Sequence, residues 1–449
     1  MNGQGWSNSA CSVNCHGILL SGASVTTINS GNIWINGLGG GIGTTNYDHG
    51  MQFSGATVST QNGDINLTGK VTDGGTGANA ISLGNATVQA VSGNVNLTDT
   101  GTLGTGIEGF GTASAVTAGN NITYTGFAFS AGTHLWTWTA GNTITVKPYA
   151  PNGTLGIGST SGQTMVASDT VLAQMSAPNF VFGSATTGNQ TIATGHDFGN
   201  SNVTFLSDGN ITLAGTLTKN SGTGTANYIF EAYGDITNSN SAGITAVPSG
   251  VPHGAINVTL QSNFDGETVN GGAVNLAGGT IATNGGNITI GGGTTTPTGS
   301  VLDANGNITT AATGYAQGDA TTGSGAGVLI NDTLDATGTG VGGNIIINGK
   351  GYNSSTSGGN SGVAISGVVT VKTSNAGTIN INGIGGTSTL SFVSSNSGVY
   401  VNAATISNSG SGATIVTGIG GAAPGGSNND MGIYVHNGGF KTTGSGALW

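Results

Sequence analysis

One short unit recurs along this chain and constrains its fold more than any other feature. It is Gly, then Asn, Asp or a small residue, then an alternating Ile-x-Ile, Ile-x-Leu or Val-x-Leu. Early copies are Gly31-Asn-Ile-Trp-Ile35, Gly63-Asp-Ile-Asn-Leu67 and Gly93-Asn-Val-Asn-Leu97. Later ones include Gly209-Asn-Ile-Thr-Leu213, Gly286-Asn-Ile-Thr-Ile290, Gly343-Asn-Ile-Ile-Ile347 and Gly377-Thr-Ile-Asn-Ile381. A second half-motif accompanies several of them, as in Gly50-Met-Gln-Phe-Ser-Gly-Ala-Thr-Val58 and Gly362-Val-Ala-Ile-Ser-Gly-Val-Val-Thr-Val371. One unit therefore holds about three short strands in roughly 20 to 37 residues, the range of solenoid coils.

Period-two alternation puts Ile, Val and Leu on one face of each strand and Thr, Asn or Ser on the other. A strand this short cannot bury its apolar face alone, so coils must stack and share a narrow aliphatic core. Gly and Asn then fall at the corners, where the backbone turns through positive φ. An Asn repeated at one corner can also stack into an amide ladder. The pattern predicts an all-β chain: a right-handed parallel β-helix, or β-solenoid, of roughly 15 coils. Residues 1–30 read as an N-terminal edge segment, and 31–449 as a continuous solenoid with an irregular excursion at about 147–187.

Composition removes the competing architectures. Glycine supplies 88 of 449 residues, but not at every third position, and only 7 prolines occur, so the chain is not collagen. Charged residues reach only 5% while 35% of positions are apolar, which argues against charge-driven disorder. No apolar run approaches the roughly 20 residues of a membrane span. The net charge is −11 and all six basic residues are lysines, so a basic stripe for nucleic acid is not expected. Bidentate guanidinium recognition of phosphate or uronate is excluded on the same ground.

The two cysteines, Cys11 and Cys15, precede His16 in the run Cys11-Ser-Val-Asn-Cys15-His16. They read first as a small disulfide loop, consistent with an oxidising, extracellular location. The same run also resembles a lengthened c-type haem attachment motif. The first residues have neither a basic n-region nor an apolar h-region. The chain reads as a segment of something longer.

Residues 141 to 194 carry a more specific pattern. It runs through Thr143-Ile-Thr-Val-Lys-Pro-Tyr149 and Thr154-Leu-Gly-Ile157 to Ser168-Asp-Thr-Val-Leu-Ala-Gln-Met-Ser-Ala177 and Phe180-Val-Phe-Gly-Ser-Ala-Thr-Thr-Gly188. This resembles the repeats of filamentous-haemagglutinin-like exoproteins, large surface proteins exported by two-partner secretion or as autotransporter passengers. In that family a short helical turn can interrupt the solenoid. Ser168 is placed to cap such a turn here, with Val171, Leu172 and Met175 facing the core. Val171 stands where an acidic residue would complete a capping box, so no box is expected. The resemblance implies a secreted or surface-attached adhesin or structural fibre.

Candidate sites are few. Asp332 and Asp335 are close in sequence, but odd spacing on a strand puts them on opposite faces, and they read as solvated loop acids. The histidines His16, His49, His134, His196, His253 and His436 show no metal-ligand spacing, and no metal or other cofactor is expected. Gly74-Gly-Thr-Gly-Ala-Asn79-Ala-Ile81 resembles a single calcium-binding nonapeptide without its tandem repeats. Aromatic residues crowd at Phe127, Phe129, Trp136, Trp138 and Tyr149. Trp136, Trp138 and Tyr149 are the candidate ligand contacts, as a sugar-stacking platform; the alternative is packing beneath the 147–187 excursion.

The expected function is that of a non-enzymatic secreted or cell-surface β-helical protein, an adhesin or an extracellular structural fibre. Its partners would be glycans or proteins of a host or neighbouring cell, or further copies of itself. Its place would be extracellular or on a bacterial cell surface. The alternative is a carbohydrate-active or carbohydrate-binding β-helix of the tailspike kind.

Overall fold

A computed structural model describes residues 1–5, 15–40, 48–72, 77–101, 106–111, 113–130, 136–158, 160–239, 241–246, 253–263, 272–293, 314–319, 325–353, 359–388, 396–422 and 430–449. The chain forms two compact units, Met1–Gly188 and Asn189–Trp449. Each is a parallel β-solenoid.

In the first unit a long-stranded sheet stacks Asn2–Gln4, Ile33–Gly39, Ile65–Val71, Val95–Asp99, Asn121–Gly126, Thr143–Pro148 and Asn179–Gly183 in that order. A second sheet stacks Ile18–Ser21, Met51–Ser54, Ile81–Gly84, Ile107–Phe110 and Phe129–Ser130. A third stacks Ser24–Thr27, Thr57–Thr60, Thr87–Ala90, Ser114–Ala118, Trp136–Ala140 and Met175–Ser176. The register keeps like with like. Ile33, Ile65, Val95, Ile122 and Ile144 form one column, and Ile35, Leu67, Leu97, Tyr124 and Val146 another. Both columns are buried, and between them Asn66, Asn96, Thr123 and Thr145 face outward.

Residues 18 to 27 already belong to this ladder, because Ile18 pairs with Met51 and Ser24 with Thr57. The pairing thus begins inside the 1–30 segment that the sequence suggested as a separate edge. Corner chemistry explains the glycine punctuation. Gly22, Gly55, Asn85 and Gly111 occupy successive copies of one corner with φ of 58°, 61°, 49° and 85°. Within the long strands a Cβ on Gly37 or Gly69 would lie 2.1 or 2.0 Å from the carbonyl oxygen of Gly50 or Ala80, so only glycine fits.

The second unit repeats the plan. Its long sheet stacks Asn202–Ser207, Ala226–Ala232, Ile256–Ser262, Ile288–Gly292, Ile345–Lys350, Ile379–Ile384 and Thr414–Ile419. Two further sheets of short strands complete the coils, one from Gln190–Ala193 to Ile433–His436 and one from Leu217–Lys219 to Gly439–Thr442. Phe205, Phe230, Leu260, Ile290, Ile347 and Ile381 share one buried column. Lys219 ends a strand at 0% exposure, its ammonium donating to Gly199 O (2.5 Å), Ser221 O (2.8 Å) and Asn200 Oδ1 (3.0 Å). Those three acceptors replace the hydration that burial removes.

The amide ladder expected at the corners is present. Asn227 donates its N–H and Nδ2–H to Asn202 Oδ1, Asn257 donates to Asn227 and Asn287 to Asn257. Asn344 and Thr378 continue it. Stacked partners lie 25 residues apart at Asn202–Asn227, 30 at Asn227–Asn257 and 34 at Asn344–Thr378. Asn287 and Asn344 are 57 apart, beyond the expected coil length.

The excursion in the first unit contains strands Leu155–Gly158 and Met165–Ala167 and the helical turn Asp169–Leu172. Ser168 caps that turn, its Oγ accepting from the Val171 N–H at 3.4 Å. Val171, Leu172 and Met175 are buried beneath it.

Candidate functional site

The aromatic cluster is core. Trp136 and Trp138 are 3% and 1% exposed, so neither ring offers a face to a sugar. Their strand alternates inward and outward, and Trp138 sits in register with Val116 on one side and Met175 on the other. The two indoles meet edge to face at 5.2 Å, with Phe129 5.7 Å from Trp138. Tyr124 lies 4.6 Å from Phe129 and donates its hydroxyl to Ala128 O. Tyr149 is apart from this group. It is 43% exposed and packs on Phe127 at 5.7 Å. Met175, from the excursion, is the neighbour that covers Trp138.

Other sequence candidates are also absorbed by corners. Cys15 is buried and disulfide-bonded, and its N–H donates to Asp48 Oδ1 at 2.7 Å. Cys11 and His134 lie outside the described residues. Asn79 is buried; its N–H donates to His49 Nδ1 at 3.1 Å, and its Nδ2 donates to Gly77 O and to the Glu108 carboxylate. Asp332 corrects the reading of a solvated loop acid. It is 0% exposed, and its carboxylate accepts from the Gly278 and Gly279 N–H groups and from Asn238 Nδ2. The turn before Thr333 aims the side chain inward, where it caps the preceding coil. Asp335 does face out, paired with Lys372 at 2.8 Å on the next coil.

The long sheet of the first unit carries a second candidate site. Trp34 is 58% exposed on the outer face of Ile33–Gly39, in register with Asn66. Further along the same strand is an open groove of about 530 Å³ lined by Asn2, Asn36, Leu38, Thr68 and Lys70 among others. Asn36 Nδ2 donates to Asn2 Oδ1 at 2.8 Å. This leaves Asn36 Oδ1 to accept and Asn2 Nδ2 to donate. Lys70 is exposed and is the cationic group of the groove.

A groove of amides, a hydroxyl and one ammonium suits a polyhydroxylated ligand, with the exposed indole of the same strand as a stacking surface at its end. The signal was present in the sequence. The fourth position of Gly-Asn-Ile-x-Ile points outward in the described copies, and Trp34 occupies it where Asn66, Asn96 and Thr212 stand elsewhere.

The displaced titrations lie away from this groove. Burial pushes Asp99 up to about 6, against hydrogen bonds from Gly101 and Phe127, and pushes Glu231 up to about 8. Among the described residues no three of His, Cys, Asp and Glu are grouped to hold a metal ion. No helix of the described residues is long and apolar enough to cross a membrane. No protein-family model, no curated protein and no solved structure matches this chain.

Proposed function

We propose that this chain is part of a non-enzymatic, secreted or cell-surface β-helical protein of the filamentous-haemagglutinin-like or autotransporter-passenger kind. It serves as an adhesin or as a segment of an extracellular fibre. One observation carries this reading: each unit is a stack of coils whose repeated corners are joined by side-chain ladders, of amides in the second unit and of amides with Asp64 in the first. Such ladders are hydrogen bonds and not ion pairs, so salt weakens them little. Weak contacts repeated along stacked coils add by avidity, which suits attachment to a surface that is itself repetitive.

A second reading, a carbohydrate-binding β-helix, is favoured by Trp34 standing exposed two residues before Asn36, which lines the groove. The two readings meet if the adhesin holds glycans. The test is adherence of cells to beads coated with the purified chain, alongside an assay for new reducing ends in polysaccharide mixtures. Adherence without new reducing ends supports the proposal. Polysaccharide cleavage by the chain, or no adherence above uncoated beads, contradicts it.

A further inference from the structure

Three successive copies of one corner in the first unit read Cys15-His16-Gly17, Asp48-His49-Gly50 and Ala78-Asn79-Ala80. They stack because the strands that follow them, Ile18–Ser21, Met51–Ser54 and Ile81–Gly84, are in register. The His16 and His49 rings lie face to face, 5.1 Å between centroids and 5° from parallel. The His49 N–H points at His16 Nδ1 across 3.4 Å, and the Asn79 N–H donates to His49 Nδ1 at 3.1 Å. Each Nδ1 is thus an acceptor, which fixes both rings as the neutral Nε2–H tautomer.

The charged groups facing this stack come from two places. Asp48, buried at 1% exposure, lies on the same corner, and Glu108 reaches it from the next strand through Asn79. Both His49 and Asp48 are nearly sealed from water.

We propose that the His16–His49 corner is an acid-sensitive latch, whose protonation releases the first coil, residues 15–27, from the coil beneath it. A proton on Nδ1 turns an acceptor into a donor that faces another donor, so two inter-coil hydrogen bonds are lost. A second proton places two imidazolium rings in stacked contact, where like charges repel. The direction agrees with the electrostatics. Burial first, then His16, lowers His49 to about 4 against the opposing pull of Asp48, and burial lowers His16 as well. A folded value below the ordinary 6.5 means that the contribution is complete above about pH 6.5 and is lost as pH falls toward 4.

Hydrogen-exchange mass spectrometry of the whole chain tests this, with rates corrected for intrinsic pH dependence. Protection of residues 15–27 should fall on the order of 100-fold between pH 7 and pH 4. Residues 87–97 of the same unit serve as the reference and should change far less. In the double variant His16→Asn/His49→Asn, which places at both corners the residue found at Asn79, protection should not depend on pH in this way. Unchanged protection in the natural chain overturns the proposal, as does an equal loss in the variant. If the variant does not fold, NMR of histidine-labelled natural chain decides. Protonation of His16 and His49 that coincides with the loss of protection supports the latch, and protonation without that loss overturns it.

Discussion

Asn257 donates its Nδ2–H to Asn227 Oδ1 across 3.0 Å, from the same corner one coil on. Asn227 in turn gives two hydrogen bonds to Asn202, at 2.8 and 3.0 Å. One side chain therefore ties three coils together, using both ends of its amide. In a quasi-one-dimensional fold such nearest-neighbour links set local stability, because each coil touches only the coils beside it.

Asn227→Ala removes two side-chain links and takes the acceptor from Asn257 Nδ2, while Asn202 Oδ1 keeps the backbone N–H of residue 227. With about 1 kcal/mol for each net hydrogen bond, the local cost is about 2 kcal/mol. Hydrogen exchange in Ala226–Ala232 and Ile256–Ser262 should then accelerate roughly 30-fold, since 1.4 kcal/mol is a factor of ten. The corner in the first unit should not respond. A global loss of protection in both units would contradict a nearest-neighbour solenoid.

Trp138 and Trp34 are predicted to behave in opposite ways. Trp138→Ala opens a hole in the core against Val116, Met175 and Phe129 and should destabilise the first unit by about 3 to 5 kcal/mol. Trp34→Ala removes an exposed ring and should change stability by less than about 0.5 kcal/mol. The same Trp34 variant should lower adherence to glycan-coated surfaces, where Trp138→Ala acts only through unfolding. Thermal melts and bead adherence measured on both variants separate these roles.

Glu231 is 1% exposed, and its Oε1 has no hydrogen-bond partner among the described residues. Burial raises it to about 8, so the folded state holds a proton that the unfolded state releases at lower pH. Its stabilising effect is therefore complete below about pH 4.5 and disappears as pH rises toward 8. Glu231→Gln, which cannot ionise, should be more stable than the natural chain by about 4 kcal/mol at pH 8 and nearly equal to it at pH 4. Denaturant midpoints at the two pH values check the sign.

The sequence made the repeat, the inward Ile-x-Ile columns, the corner amides and the Ser168 cap legible. Each depends on local spacing, and spacing is what a sequence displays. Alternation also showed that Trp136 and Trp138 share a face, but not which face, because an inward column and an outward column have the same period. Asp332 was misread for a related reason: it sits at a corner, where strand parity no longer applies. Glu231 shows the remaining gap. Tyr228 and Phe230 point inward, so Glu231 belongs to the outer face, yet it is buried with Leu206 and Gln261 beside it. Alternation reports direction, and burial depends on what lies over the sheet.

The most direct test of the proposed role is immunogold electron microscopy of intact native cells with antibody against this chain. The account predicts gold on the outside of unpermeabilised cells or along extended material leaving them. Label confined to the interior, seen only after permeabilisation, would contradict a surface adhesin or extracellular fibre.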